Sequence, residues 1–267
     1  MRTMSMSVLS RRQFLTLSFA VAFRPWVAQS KPSVLSQRYA ADISMLYSVL
    51  KLRLEGEIAE TIDRSGGKYY VTASGKGPGI SNLLRSAGIL QRGRWTPLRS
   101  DASFDIRGRL SQSEMAYDWD RREISYHARA ETFFLRRVRT VDDIVTVPED
   151  VHVDDVISAT LNFADGRWPA NGAGLHRTVV VRRRRTEDEG PDDIAPLYRA
   201  ELVPLELRSI SNSSKETTVL FDLSRFSSWA TQSEPARMVF SSNRRPELIF
   251  APMILGTSVT VRFSGAP

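Results

Sequence analysis

Chemistry in this chain would have to come from carboxylates, three histidines and a run of arginines, because none of its 267 residues is a cysteine. Thiol nucleophiles, thiolate metal sites and disulfides are thereby excluded. Asp118 and Asp120 flank Trp119. On a strand the two carboxylates would share a face, where they could share a proton or act on a glycosidic bond in a cleft; the plainer reading is a solvated face beside Arg121 and Arg122. His127, His152 and His176 stand at no metal-ligand spacing and read as surface or hydrogen-bonded side chains. Asp154 and Asp155 suit a helix N-terminus, where a carboxylate accepts backbone N–H bonds and meets the positive end of the dipole. There is no Gly-x-Ser-x-Gly motif, and Ser74-Gly75-Lys76-Gly77-Pro78-Gly79 fails the phosphate-loop pattern. No catalytic residue, cofactor or metal site is expected, and the protein reads as non-enzymatic.

Arg182, Arg183, Arg184 and Arg185 run together and are followed by Glu187, Asp188, Glu189, Asp192 and Asp193. Acids so close behind a basic run predict a hairpin whose two ends pair their charges. No stripe of basic residues with interleaved aromatics accompanies the run, so nucleic acid is not an expected partner. An anionic membrane surface is the intermediate alternative.

At the N-terminus, Arg11 and Arg12 precede Phe14 and Leu15 and an apolar run that stops at Arg24 and Pro25. This resembles a twin-arginine export signal, which implies the twin-arginine machinery as a partner and the periplasm as the address. A membrane span would need about 20 apolar residues. Small-residue cleavage sites stand at Ala20-Val21-Ala22 and Ala28-Gln29-Ser30. The second leaves residues 31–267 as a single β-rich domain. The full chain carries +7; four arginines lie in the first 30 residues, leaving 33 basic against 30 acidic residues, or +3. Most of the basic excess is therefore part of the address.

The elements that would position these side chains are mostly strands. Residues 43–62 alternate, with Leu50, Leu52 and Leu54 against Lys51, Arg53 and Glu55, and predict one long strand bent at Gly56. Ser65-Gly66-Gly67 turns it into a strand over 68–74. Residues 77–88 place Ile80, Leu83, Leu84 and Ala87 at helical spacing before Gly88 and predict a short helix. Strands are expected over 89–95, 102–110, 113–119, 123–130 and 132–138, with turns too short for parallel crossovers. A second short helix is expected over 154–163, then a breaker-rich loop over 165–174. Further strands follow over 178–183, 198–207, 217–223, 237–240, 247–250 and 258–263.

Five features occur in order: the opening strand ending in Leu54-Glu55-Gly56; Tyr69-Tyr70-Val71 leading to 77–88; Tyr117-Asp118-Trp119; Asp155-Val156-Ile157-Ser158; and 242–250 followed by Leu255-Gly256-Thr257. Together they resemble the bacterial exported family labelled domain of unknown function 3108, from which 182–196 departs. The resemblance implies a mainly β fold, a curved antiparallel sheet with helices at its open side, similar to the lipoprotein-carrier half-barrels. A concave sheet leaves room for an apolar or lipid-like ligand. Candidate ligand-lining residues are Ile80, Leu83, Leu84, Trp95, Trp119 and Trp168, with Phe104, Phe133 and Phe134 beside them; ordinary core packing is the alternative for each. The leading expectation is a periplasmic binder of a hydrophobic or lipid-like envelope component. The alternatives are an envelope protein interaction module docking through an exposed Trp168, and a glycan hydrolase using Asp118 and Asp120.

Overall fold

The computed structural model describes residues 33–264 except 170, 172, 173, 187, 188, 214 and 232; the expected export signal, with Arg11, Arg12, Phe14 and Leu15, lies outside the described residues. The first half of the chain is a meander of long strands: β1 (Ser33–Met45), β2 (Leu50–Asp63), β3 (Lys68–Gly77), β4 (Ile80–Gln91), β5 (Arg94–Ile106), β6 (Arg109–Asp118), β7 (Glu123–Glu131) and β8 (Val138–Thr146). A two-residue strand β9 (Val153–Asp154) leads into α1 (Val156–Ala164). The second half continues with β10 (Leu175–Arg183), β11 (Ala200–Asn212), β12 (Glu216–Phe221), β13 (Ala236–Ser241), β14 (Pro246–Pro252) and β15 (Ser258–Ser264).

These strands form one 15-stranded sheet among the described residues, with β1 pairing to β15 in the middle and β8 and β9 at the two edges. Every pairing is antiparallel except that of β9 with β10. The sheet rolls until β6 to β8 pack on β10 and β11 through Tyr117, Ile124, Tyr126, Val141, Val153 and Ala200. Its ends touch by side chains and are not joined by a hydrogen-bonded ladder. The alternation that drives this is strict: Tyr39, Ala41, Ile43 and Met45 of β1 are buried, as are Tyr69, Val71 and Ala73 of β3. Each strand has one wet face and one dry face.

Several expectations need correction: the strands expected over 89–95 and 102–110 each cross a turn, at Arg92-Gly93 between β4 and β5 and at Arg107-Gly108 between β5 and β6. Residues 43–62 are two strands, not one, because the chain reverses at Leu46, Tyr47 and Ser48, all with φ between 53° and 70°. Residues 77–88 form strand β4 instead of a helix. Pro78 followed by Gly79 at φ 68° is a type II turn signature, and it folds β4 straight back onto β3. The second expected helix is present as α1. Asp155 caps it, accepting the Ser158 N–H at 2.7 Å, while Ser158 Oγ accepts the Asp155 N–H at 3.0 Å. The strand expected over 132–138 is mostly a loop, and β8 begins where it was expected to end.

Helix α1 lies inside the curl at one end. Its residue Leu161 packs with Ile62, Tyr69, Val71 and Trp95 on one wall, and Ala159 and Phe163 pack with Leu207, Val219 and Phe240 on the opposite wall. That end is solid. The other ends of the same strands enclose a space.

Candidate functional site

The space is a cavity of about 510 Å³. Its walls are the inward residues Tyr39, Ala41, Ile43 and Met45 of β1, Leu54 of β2, Phe104 and Ile106 of β5, and Val259 and Val261 of β15. Alternation alone puts each of these on the dry face. Phe133, in the loop after β7, and Trp229, after β12, close one side; their ring centroids lie 5.5 Å apart at 88°. Phe134 completes a three-ring cluster, 5.2 Å from Phe133 and 5.7 Å from Trp229, while remaining half exposed. Edge-to-face packing of this kind suits the ring quadrupoles. The Arg109 guanidinium stands 5.4 Å over Phe133 and donates to its carbonyl at 3.1 Å, which pins the loop.

One wall depends on two glycines. Tyr39 lies across Gly56 and Gly75, which pair with each other in the β2–β3 register. A Cβ on Gly56 would stand 2.5 Å from the Tyr39 ring, and one on Gly75 would stand 2.6 Å from its hydroxyl. The hydroxyl donates to Asn82 Oδ1 at 2.8 Å. Burial pushes the Tyr39 hydroxyl pKa up, so it stays a neutral donor. The cavity is thus mainly apolar, with Asn82, Arg109, Glu131 and Arg139 and a few serines and threonines, Ser111 and Ser227 among them, as polar points.

The solid end holds a buried polar network. Asp154 is wholly buried; Oδ1 accepts from Ser158 Oγ at 2.8 Å and Asn162 Nδ2 at 2.8 Å, and Oδ2 from Thr178 Oγ1 at 2.5 Å and Arg94 Nη2 at 3.1 Å. Asp155 accepts from Ser86 Oγ at 2.5 Å, and Ser86 also bonds the Tyr69 hydroxyl at 2.9 Å. Burial pushes the Asp155 carboxyl up to about 6, against the pull of the Ser86 and Ser158 bonds. Asn162 exchanges two bonds with the Trp95 backbone, at 2.7 and 2.8 Å. The network joins α1 to β4, β5 and β10. Every member has at least one partner within the protein, with Arg94 Nε the one buried polar atom of the network left unpaired among the described residues, and the network fastens the helix to the sheet.

Among solved structures, this chain matches a β-barrel-like protein of domain of unknown function DUF1849 from Brucella abortus. The identity is 8%, the TM-score is 0.40, and the match covers 88% of this chain and 97% of that one. No family model matches the chain, and no curated protein does.

None of the six candidate lining residues lines the cavity. Ile80 is buried next to it, in the cluster of Tyr39 and Leu54, while Leu83 and Leu84 are half-buried positions on β4. Trp95 is fully buried against α1 and donates to Asp165 at 3.0 Å. Trp119 stacks on Tyr117 and donates to the Pro97 carbonyl at 2.7 Å. Trp168 corrects the expectation of an exposed docking aromatic: it is buried on Phe163 and donates to the Ala159 carbonyl at 3.0 Å. Phe104 and Phe133 do line the cavity. Trp229 was missed, and the Phe133-Phe134 pair was the signal that could have pointed to its neighbourhood.

The other candidates are placed apart from it. Asp118 is exposed and accepts the Arg121 N–H at 2.9 Å in a hairpin turn that also contains the exposed Asp120. His127 pairs with the exposed Asp142, His152 Nε2 donates to Asp154 Oδ1 at 3.0 Å, and His176 packs edge-on to Phe163. No metal-binding group of three or more ligands occurs among the described residues.

Proposed function

We propose that this protein is exported through the twin-arginine route to the periplasm and there binds a hydrophobic or lipid-like envelope component without catalysing a reaction. The observation that carries the reading is the cavity between β1, β2, β5 and β15. Its volume of about 510 Å³ falls in the range of roughly 300–1,000 Å³ usual for small-ligand sites, and its lining of apolar side chains with a few polar points is the usual composition. The Arg11-Arg12-Gln13-Phe14-Leu15 pattern supports the address. The ordered motifs similar to domain of unknown function 3108 support a half-barrel carrier as the ancestor of this architecture, although 77–88 of that set is a strand here.

Native mass spectrometry of the protein purified from the periplasmic fraction, followed by solvent extraction, tests this. A stoichiometric adduct that extracts as lipid is expected, and Ala41→Trp, which fills the cavity from β1, removes it while the protein still folds. A protein that emerges clean after gentle handling overturns the reading.

A further inference from the structure

The apolar cavity is not the end of the hollow. Ser111, Ala130, Arg139, Ser227 and Ser228 border both it and a second cavity of about 350 Å³, which continues between β6, β7 and β10. That second space is bordered by Arg139, Arg182, Arg183 and Arg185. Arg182 and Arg185 then border a third, of about 500 Å³, that opens beside Ser224 and Arg225. The four-arginine run is therefore turned partly inward, at the join between an apolar chamber and a cationic one.

The carboxylates closest to it are shared. Among the described residues, Glu189 is shared by three arginines: it meets Arg183 Nη1 at 2.8 Å, Arg139 Nη2 at 3.6 Å and Arg185 Nε at 3.9 Å. Glu201 is shared by Arg182 at 2.7 Å and Arg184 at 3.1 Å. Among the described residues, these five guanidiniums share two carboxylates at ion-pair distance. The side chain of Arg185 is 9% exposed, and although Nη1 and Nη2 reach the carbonyls of Ser224 and Glu189, Nε has no hydrogen-bond partner among the described residues. A buried guanidinium N–H left without an acceptor costs stability. An anion that accepts from it recovers that cost. Burial lowers the Arg185 pKa, Glu189 opposes it, and the neighbouring Arg183, Arg182 and Arg139 charges add to the lowering.

We propose that the ligand is an anionic amphiphile, its acyl chain in the apolar chamber and its phosphate or carboxylate among Arg182, Arg185 and Arg139. The inference rests on the chamber being a ligand site, and adds the charge of the ligand and the direction in which it lies. A planar guanidinium cluster matches both anions bidentately.

Titration of the full purified chain with four probes separates the claims, using calorimetry and tryptophan fluorescence as readouts. Lysophosphatidic acid and palmitate are expected to bind about tenfold or more tightly than monopalmitin, the neutral chain of similar length. Which of the two is tighter tells a phosphate from a carboxylate headgroup. Inorganic phosphate is expected to compete weakly with lysophosphatidic acid and not with monopalmitin. Arg182→Gln and Arg185→Lys should each weaken lysophosphatidic acid several-fold and leave monopalmitin unchanged. If Arg185→Lys does not fold, the more exposed Arg182→Gln and the wild-type preference decide. Equal affinity for monopalmitin and the charged lipids overturns this inference and leaves the chamber reading standing. Phosphate binding as tightly as lysophosphatidic acid also overturns it, since the chain would then contribute nothing. Failure of every probe overturns both.

Discussion

Asp155 allows a prediction in which the sign and the magnitude both follow from burial. Its carboxyl sits at about 6 in the folded protein against 3.8 for the ordinary group. Between these values the folded state holds a proton that the unfolded chain has released, so stability falls as pH rises through that window and is level above it. The difference of about two pKa units corresponds to roughly 3 kcal/mol, of which about 2 to 3 kcal/mol is lost between pH 4 and pH 7. Other carboxylates act in the opposite sense: Asp143, Asp165 and Asp192 are held low by hydrogen bonds and arginines and lose their contribution as pH falls. The comparison that cancels them is with Asp155→Asn. The amide keeps an N-cap oxygen for the Ser158 N–H, turns its NH2 to the Ser86 hydroxyl, which can accept, and never ionises. Urea unfolding at pH 4, 5, 6 and 7 should therefore show the variant gaining on wild type by about 2 to 3 kcal/mol across the series. A difference that stays flat with pH would refute the claim that this carboxyl is dry and neutral at acid pH.

Two further substitutions probe the hold on the curl and the wall of the cavity. Glu60 and Arg245 are 185 residues apart and form a nearly buried pair, with Arg245 Nη1 2.6 and 2.7 Å from the two carboxylate oxygens. Glu60→Ala should cost about 3 kcal/mol or more in urea unfolding, because it strands the guanidinium, and Glu60→Ala with Arg245→Ala should recover part of that loss; a cost below 1 kcal/mol would mean that the pair is solvated. Gly56→Ala places a Cβ 2.3 Å from the Ser74 carbonyl oxygen and 2.5 Å from the Tyr39 ring. It should destabilise by about 1–3 kcal/mol and lower the yield of extracted adduct together, since the displaced ring is part of the cavity wall; unchanged stability would show that the wall is soft.

The strands were legible wherever polar and apolar residues alternate without interruption. β7, β10 and β15 stand within a few residues of their expected places. Boundaries blurred at turns, even at Arg92-Gly93 and Arg107-Gly108, and most where a turn carries no glycine or proline. Leu46-Tyr47-Ser48 looks like strand interior, and its left-handed backbone is held from outside, by the Tyr47 N–H on the Leu255 carbonyl at 3.1 Å and by Ser44 on Ser48 at 2.8 Å. β4 misled for a different reason. Its inward positions alternate Ile80 and Leu84 with Asn82, Ser86 and Gly88, and the latter three are chosen for what they meet: Asn82 takes the Tyr39 hydroxyl, Ser86 serves Asp155, and Gly88 leaves room for the Tyr69 ring. With three of the dry-face positions polar or small, the alternation is broken, and Ile80, Leu83, Leu84 and Ala87 fall at helical spacing by accident. A strand whose inner face is specialised loses the very period by which strands are recognised.

The cavity was less legible than the fold, since a residue facing a hollow and a residue facing a packed core have the same alternation. What distinguishes them is size at matched depth. At the helix end the walls carry Trp95, Tyr69 and Phe240, and α1 fills what is left. At the other end the inward positions include Ala41 on β1, Ser111 on β6, Ala130 on β7, and Ser227 and Ser228 in the segment after β12. A rolled sheet has nearly the same radius at both ends, so small residues at one end with no second helix leave space there. The tryptophans pointed elsewhere because those of the solid end are structural, with Trp95 and Trp168 each spending an indole N–H on a protein acceptor. The hollow is therefore written in the small residues and not in the large ones. In this chain the small residues run from the apolar chamber directly to the arginines, so the same positions that make room for a chain also lead it to charge.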